Sequence, residues 1–180
     1  MIFTETKLKG VFVIEMERRE DHRGFFARAW CQKELESQGL SAGFVQSNVA
    51  FSHNKGTMRG MHYQTPPFQE AKLVRCTMGR VFDVAVDLRP ESSSYTEWTG
   101  VELSAENRKM LYIPPGCAHG YLTLIDSTEL LYDTSQVYAP AHATGVLYND
   151  PEFGIVWPAP VCVLSDADKN WAPFASTHSL

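Results

Sequence analysis

Short segments in which apolar and polar residues alternate recur along the whole chain, separated by Gly, Pro, Asn and Asp. A period of two is typical of a β-strand with one buried face. In residues 81–88, four apolar side chains fall on one face, and Asp83, Ala85 and Asp87 fall on the other. The same reasoning predicts strands at 11–15, 44–52, 72–78, 98–103, 109–113, 120–124 and 129–134, and a glycine-containing strand at 58–64.

Helical periodicity is nearly absent from the chain. The sequence predicts one short helix at 32–38, ended by Gly39, and a helical turn around 105–108. Strands at this spacing favour an all-β barrel or sandwich. Because no repeat, linker or low-complexity run occurs, residues 1–180 are expected to form a single domain, with the segment from 150 onward as an ordered cap for the barrel.

Length, composition and charge narrow the possible functions. A chain of 180 residues is long enough to bury an independent core, and 44% hydrophobic with 21% charged residues is typical of an ordinary globular protein. A formal charge of -5 argues against a general nucleic-acid-binding face, so an anionic ligand would need a local basic cluster. Four dispersed cysteines without a CxxC pair predict reduced thiols, and no segment resembles a signal peptide, which together favour the cytoplasm.

The first candidate chemistry lies in the strand at 58–64, which carries both Arg59 and His62. Residues three apart in a regular strand face opposite sides, so Gly60 must permit a bulge or bend if both side chains are to reach one site. Lys72 follows shortly after. The segment therefore predicts a pocket that combines a phosphate-binding group with a proton acceptor.

A second histidine, His119, follows a rigid turn with the sequence Pro-Pro-Gly-Cys-Ala at 114–118. This PxGxxH spacing resembles half of the cupin signature, which implies a double-sheet barrel with an internal pocket. Many cupins bind a metal through an HxH pair, a glutamate and a third histidine. Here the HxH position reads His62-Tyr63-Gln64, so Glu70 and His119 could join His62 as metal ligands, but the second histidine of the HxH pair is missing. A metal-free acid/base pocket fits better, and the structural alternative is two hydrogen-bonded interior histidines.

A more specific resemblance rests on the order and spacing of several motifs. The motifs are Arg-Gly-Met-His-Tyr-Gln at 59–64, Lys-Leu-Val-Arg at 72–75, Val-Phe-Asp-Val-Ala-Val-Asp-Leu-Arg at 81–89 and Ile-Pro-Pro-Gly-Cys-Ala-His-Gly at 113–120. They resemble the dTDP-4-dehydrorhamnose 3,5-epimerase family, and segments at 21–26, 45–48, 150–158 and 164–168 extend the similarity over nearly the whole chain.

The resemblance implies a cupin-type double-stranded β-helix, a jelly-roll barrel with short helices and a C-terminal cap. The implied reaction is epimerisation of a nucleotide-linked 4-keto-6-deoxyhexose at C3, C5 or both, with dTDP as the favoured nucleotide and without a metal or another cofactor. Such a reaction needs a base, a group that stabilises the enolate oxygen, and an acid on the opposite face of the sugar.

By position, His62 resembles the base of the family, and Asp168 resembles the carboxylate that fixes the imidazole tautomer. Tyr132 resembles the acid, while Lys72 and His119 resemble the groups near the sugar carbonyl. Two alternatives remain open at this point. Lys72 could form an ordinary surface ion pair, and Tyr132 could be a half-buried aromatic with a hydrated hydroxyl.

Five further positions match substrate contacts of the family. Arg23 and Arg59 match the groups that bind the diphosphate, for which a planar guanidinium is well suited. Gln46 and Asn48 match polar contacts to the ligand, and Tyr138 matches an aromatic that stacks on the nucleotide base. For Arg23, a solvated charge is an equally plausible interpretation.

The resemblance also implies a homodimer in which an N-terminal strand pairs with the neighbouring subunit. The strand at 11–15 is the candidate for this addition to a sheet edge. In that arrangement Arg23 and Phe26 would serve the pocket of the partner subunit.

Four departures from the family pattern leave the substrate open: Arg28, Asp133, Ala143 and Ala167 stand where the family commonly has other residues. The base, its carboxylate, the lysine and the tyrosine are all present. Three alternatives therefore accompany the main hypothesis: a mono-epimerase for a different nucleotide sugar, a non-catalytic barrel that only binds a sugar nucleotide, and a metal-dependent cupin enzyme.

Overall fold

The computed structural model describes residues 1–174 of the chain. These residues form a nearly all-β structure with two short helices. The strands are β1 (Ile2–Glu5), β2 (Phe12–Glu15), β3 (Arg19–Asp21), β4 (Gly24–Phe26), β5 (Gln46–Ser52), β6 (Met58–Gln64), β7 (Lys72–Met78), β8 (Arg80–Asp87), β9 (Trp98–Ser104), β10 (Met110–Ile113), β11 (Cys117–Thr123), β12 (Thr128–Thr134) and β13 (Ala143–Gly145). The helices are α1 (Gln32–Ser37) and α2 (Asp166–Lys169).

Two antiparallel sheets build the barrel. The six-stranded sheet has the order β1-β2-β10-β7-β12-β5, and the five-stranded sheet has the order β13-β6-β11-β8-β9. Strands β3 and β4 form a separate hairpin. This arrangement confirms the predicted all-β, cupin-type double-sheet barrel.

The main core lies between the two sheets, where residues of β8 illustrate the predicted alternation. Val81 and Ala85 pack with Val74 and Leu130 of the opposite sheet. The other apolar set of residues 81–88 packs outward into a second cluster: Phe82, Val84 and Val86 of β8, and Leu88 directly after it. The two faces predicted for 81–88 are therefore correct, and Asp83 lies on the inner face.

Two outer layers cover the sheets. The segment after β13 packs Phe153, Trp157 and Leu164 against the outer face of the five-stranded sheet, which confirms the predicted C-terminal cap. Helix α1 and residues 40–44 cover only part of the outer face of the six-stranded sheet. On β5, at the edge of that sheet, Val49 and Phe51 are exposed.

Some elements differ from the sequence-based expectation. Strand β11 begins at Cys117 and not at the predicted position 120, so His119 lies within the strand. Strand β2 pairs with β1 on one side and β10 on the other, so it has no free edge. The expectation that residues 11–15 form an edge strand that pairs with a neighbouring subunit is therefore wrong. The edge strands of this sheet are β1 and β5. Within residues 1–174, every helix is too short or too polar to cross a lipid bilayer.

Candidate active site

A bend at Gly60 brings Arg59 and His62 to one cavity. The backbone of Gly60 has φ +125°, and a Cβ added there would lie 2.5 Å from the Cα of Gly120. Only glycine fits this close approach of two strands. The register between β6 and β11 shifts between His119 and Tyr121, which is the irregularity that the sequence required. Arg59 and His62 consequently line the same cavity.

The site consists of two adjoining cavities between the sheets, each with a volume of about 510 Å³. Both cavities are lined by His62, Lys72 and Tyr132, which places these three side chains where the cavities meet. The first cavity is also lined by Gln46, Asn48, Glu70 and Tyr138, and the second by Arg59, His119 and Asp168. The fold thus gathers nine of the eleven predicted site residues around one continuous space.

His62 is paired with the buried carboxylate of Asp168, whose Oδ1 lies 2.6 Å from the imidazole Nε2. Trp171 Nε1 donates to the same oxygen at 3.2 Å, and the Ser165 hydroxyl accepts from the backbone N–H of Asp168 at the start of α2. Burial opposes ionisation of Asp168, but these hydrogen bonds outweigh it and hold its pKa below the ordinary value. An ionised carboxylate only accepts hydrogen bonds, so Nε2 of His62 carries the proton and Nδ1 is the basic nitrogen.

Lys72 is buried rather than part of a surface ion pair, because its side chain is only 10% exposed. Its Nζ donates to the carbonyl oxygen of His62 at 3.2 Å and lies 3.3 Å from Oε1 of Glu70. Burial lowers the pKa of Lys72, and the nearby charge of Glu70 opposes that shift. The structure therefore contradicts the surface alternative and places the ammonium inside the cavity.

His119 faces the cavity beside His62, because the two are direct partners in the antiparallel pairing of β6 and β11. Its Nε2 lies 2.9 Å from Oδ1 of the fully buried Asp83. The second histidine therefore has its own carboxylate, which comes from the neighbouring strand β8, whereas the carboxylate of His62 comes from helix α2.

Tyr132 reaches the cavities from the opposite sheet, where it lies directly across from Asn48 in the pairing of β12 and β5. Burial raises the pKa of Tyr132, Arg59 lowers it and Glu70 raises it further. The phenol is therefore protonated at neutral pH and can donate a proton. Because His62 and Tyr132 belong to different sheets, they approach the enclosed space from opposite walls.

The polar wall of the first cavity is organised by Gln46. Its Nε2 donates to Oδ1 of Asn48 at 2.9 Å, and its Oε1 accepts from the backbone N–H of Tyr138 at 3.1 Å. The Tyr138 residue is 63% exposed. These contacts hold the backbone of Tyr138 beside the first cavity, and its ring remains exposed.

Arg23 and Phe26 are the two predicted site residues that line neither cavity of their own chain. They lie on the β3–β4 hairpin, where Arg23 pairs with Asp21 at 2.7 Å. The Arg23 side chain is 79% exposed and Phe26 is 73% exposed. Within one subunit, both project into solvent.

The four positions that depart from the family pattern have different surroundings. Ala143 lines the first cavity and Ala167 lines both, so their small side chains affect the size of these cavities directly. Arg28 bonds to Glu34, and Asp133 accepts from the hydroxyl of Ser47 at 2.6 Å. These last two groups do not line either cavity.

Sequence reasoning missed two groups in the cavities. Trp171 holds Asp168 and lies in a tail without strand or helix periodicity, so no pattern identifies it. Glu70, considered only as a metal ligand, lies in the cavity as the ionic partner of Lys72. In the described part of the chain, no three His, Cys, Asp or Glu side chains are grouped in a way that could hold a metal ion.

Comparisons with known proteins identify similar sequences and structures. A family model described as dTDP-4-dehydrorhamnose 3,5-epimerase matches residues 5–176. A protein of that name from Shigella flexneri is 43% identical over 171 residues, covering 94% of this chain and 94% of the relative. The crystal structure of a dTDP-4-dehydrorhamnose 3,5-epimerase from Elizabethkingia anophelis superimposes with a TM-score of 0.95 at 37% identity and covers 99% of both chains.

A third similar structure contains a ligand. It is the dTDP-6-deoxy-D-glucose-3,5-epimerase of Legionella pneumophila in complex with dTDP-4-keto-L-rhamnose, with a TM-score of 0.86 and 37% identity. The match covers 93% of this chain and 89% of that one.

Proposed function

The chain belongs to the dTDP-4-dehydrorhamnose 3,5-epimerase family, and we propose that it epimerises a dTDP-linked 4-keto-6-deoxyhexose at C3 and C5. The observation that carries this proposal is the meeting of His62, Lys72 and Tyr132 where the two cavities join. A base, a cation and an acid there surround one reacting carbon. The complex of the similar Legionella enzyme with dTDP-4-keto-L-rhamnose supports the choice of substrate.

The first half of the reaction removes a proton from the carbon next to the ketone. Nδ1 of His62 accepts that proton, and Asp168 stabilises the resulting imidazolium through the 2.6 Å contact to Nε2. The electron pair of the broken C–H bond moves towards the ketone, so negative charge develops on its oxygen. The buried ammonium of Lys72 stabilises this enolate, an effect of about 3 kcal/mol for one well-placed donor in a dry site.

The second half returns a proton to the other face of the same carbon. Tyr132 lies on the sheet opposite His62, so its phenol is placed to deliver that proton from the other side of the sugar. One proton leaves to His62 and one arrives from Tyr132, and solvent restores both groups. The net change is an inversion of configuration that consumes no co-reactant.

The nucleotide diphosphate would bind along Arg59, Gln46, Asn48 and Tyr138. Nη2 of Arg59 donates to the carbonyl of Phe51 at 2.9 Å, which orients the guanidinium while its side chain stays exposed. An oriented guanidinium can bind two phosphate oxygens at once. His119, whose Nε2 contacts Asp83, would present Nδ1 to the sugar near its carbonyl.

We also propose that the protein is a homodimer in which the β3–β4 hairpin of one subunit brings Arg23 and Phe26 to the cavity of the other. Their exposure and the exposed Val49 and Phe51 of β5 support this arrangement. Sedimentation velocity would then give a dimer, and Phe26→Ala would weaken dTDP binding by about 10-fold, as expected when a stacking side chain is lost. A monomer that binds dTDP with unchanged affinity after Phe26→Ala would contradict the proposal.

A metal-free mechanism is part of the proposal. The support is the donor set, because the HxH position holds Gln64 instead of a second histidine and, within residues 1–174, no three His, Cys, Asp or Glu side chains are grouped to hold a metal ion. Chelator-treated protein should keep its full turnover rate, and elemental analysis should find less than one equivalent of metal. Loss of turnover that zinc, iron or manganese restores would favour the metal-dependent cupin instead.

We also propose that the protein is cytoplasmic, as the sequence predicts. The support is that Cys31, Cys76, Cys117 and Cys162 are all free thiols. A protein without structural disulfides should unfold at the same temperature with and without a reducing agent. A lower unfolding temperature under reducing conditions would contradict this assignment.

The reaction is tested by incubation with dTDP-4-keto-6-deoxyglucose in heavy water, followed by NMR. Deuterium should enter at C3 and C5, and the product should have inverted configuration at both carbons. Exchange at one carbon alone would make the protein a mono-epimerase. Folded protein that binds the ligand without exchange at either carbon would instead be a non-catalytic binding barrel.

The identity of the nucleotide is tested separately by thermal shift with dTDP, CDP, UDP and GDP. A ligand that binds only the native state raises the unfolding temperature in proportion to its affinity. We expect the largest increase with dTDP. A larger increase with another nucleotide would point to a different sugar nucleotide.

A further inference from the structure

Glu70 is a buried acid with one bonded and one unbonded carboxylate oxygen. Its side chain is 7% exposed and lines the first cavity, where Oε1 lies 3.3 Å from Nζ of Lys72. Its Oε2 is buried and has no hydrogen-bond partner among residues 1–174. A buried acceptor without a partner is rare and destabilising in native proteins, because its hydrogen bonds to water are lost and no hydrogen bond within the protein replaces them.

The position of this oxygen suggests what satisfies it. Glu70 lines the cavity that the proposed substrate fills, so a small rotation of its carboxylate would present Oε2 to a donor group on the ligand. Lys72 contacts the other oxygen, Oε1, and no described residue donates to Oε2. A ligand in the cavity can supply the missing donor.

The chemistry of the substrate narrows the donor to one group. In the proposed reaction Lys72 faces the ketone oxygen at C4, and Glu70 lies next to Lys72. The two carbons that flank C4 differ, since C3 carries a hydroxyl whereas C5 carries a methyl group and the ring oxygen. Of these substituents, only the C3 hydroxyl has a proton to donate.

We propose that Glu70 is a specificity-determining residue, whose Oε2 accepts a hydrogen bond from the hydroxyl next to the sugar ketone while Oε1 holds Lys72. This inference rests on the proposed function and adds a requirement to it, namely a free hydroxyl at C3. A sugar without that hydroxyl leaves a charged acceptor unpaired in the cavity. A site built to accept a hydrogen bond from a hydroxyl binds an analogue without that hydroxyl much more weakly.

The test compares two ligands on protein that cannot turn them over. In a His62→Asn background, titration calorimetry gives Kd for dTDP-4-keto-6-deoxyglucose, for its 3-deoxy analogue and for dTDP alone. With Glu70 present, the 3-deoxy analogue should bind at least about 10-fold more weakly, as expected for a hydrogen bond to a charged group. Adding Glu70→Ala should bring the two Kd values within about 3-fold of each other, with Kd for dTDP unchanged.

The controls distinguish the loss of the Glu70 hydrogen bond from misfolding of the variant and from failure of the proposed epimerase function. Glu70→Gln keeps the size of the side chain and should give an intermediate ratio, so it decides the question if Glu70→Ala does not fold. Glu102→Gln, at an exposed position of β9, should keep the full 10-fold ratio. An unchanged ratio in both Glu70 variants, or no binding of the sugar ligand by any variant, overturns the proposal. Binding with the predicted ratios but no deuterium exchange by the wild-type protein would overturn only the epimerase function.

Discussion

Nε2 of His62 and Oδ1 of Asp168 lie 2.6 Å apart although 106 positions separate the two residues in the chain. His62 belongs to β6 and Asp168 to the short helix α2 in the C-terminal cap. The cap therefore does more than cover the outer face of the barrel. It supplies the carboxylate that sets the tautomer of the proposed base, and Trp171 three positions later holds that carboxylate in place.

Replacing Asp168 with Asn should impair the reaction without impairing nucleotide binding. The amide cannot stabilise the imidazolium, so we expect kcat to fall by at least about 100-fold. The affinity for dTDP, measured by calorimetry, should change by less than about 2-fold, because the carboxylate of Asp168 bonds to His62 and Trp171 and not to Arg59. Asp166→Asn is the matched control, since it lies on the same helix with a side chain that is 94% exposed. Equal kcat values for the two variants would contradict the role of Asp168.

Tyr132→Phe should separate proton removal from inversion. His62 still abstracts the proton and can return a solvent-derived one to the same face, so deuterium exchange should continue in heavy water. Product with inverted configuration should form at least about 100-fold more slowly, because the acid on the opposite face is lost. NMR of the same sample measures both quantities. A variant that loses exchange and inversion to the same extent would contradict this division of roles.

Lys72→Met should destabilise the fold, because it leaves the carboxylate of Glu70 buried and unpaired. Removing one partner of a buried pair typically lowers the free energy of unfolding by about 3 kcal/mol. The double variant Lys72→Met with Glu70→Gln should recover most of that loss, since no buried charge remains. Urea denaturation at pH 7 gives the three values. Additive losses in the double variant would show that the two side chains do not stabilise each other.

Asp87 should make folding sensitive to acid. Burial opposes its ionisation, but hydrogen bonds from Arg89, Ser92 and Ser94 outweigh that effect and lower its pKa from 3.8 to about 2. Because the folded-state pKa is below the unfolded one, the ionised group stabilises the fold fully above pH 4 or so, and this contribution disappears as the pH falls through about 2. The contribution amounts to about 2 kcal/mol.

Urea denaturation between pH 5 and pH 2 tests this prediction. The unfolding free energy of Asp87→Asn should start below the wild-type value at pH 5, and the difference should shrink towards pH 2. Glu102→Gln serves as the control and should follow the wild-type curve. A constant difference between Asp87→Asn and wild type across this range would show that the ionised form is not what stabilises the fold.

Elements with one buried face were predictable from the sequence. Strand β7 begins and ends where the sequence pattern predicts, and β8 presents the expected two faces, because packing between layers imposes a period of two on its side chains. The β3–β4 hairpin was not predicted as strands, since all six of its residues are exposed and nothing imposes a pattern on them. The bend at Gly60 was required by the sequence and follows from the close approach of Gly120.

The site was predictable to a lesser degree. His62 and His119 stand out in strands, but the pairing of His62 with Asp168 depends on how the C-terminal cap packs, and the local sequence of the cap carries no periodicity. Glu70 precedes β7, and its contact with Lys72 arises because both side chains turn into the same cavity. Contacts of this kind are set by tertiary packing, and a single sequence does not encode them as a local pattern.

The central claim is that His62 removes the proton next to the sugar ketone, and solvent exchange measures that step directly. Wild-type protein, His62→Asn and the control His53→Asn would each be incubated with dTDP-4-keto-6-deoxyglucose in heavy water, with deuterium at C3 and C5 followed by NMR. His53 is exposed and lines neither cavity. We expect exchange by wild type and His53→Asn at similar rates, and a rate at least about 1000-fold lower in folded His62→Asn that still binds dTDP. Exchange at the wild-type rate in His62→Asn would contradict the assignment of the base.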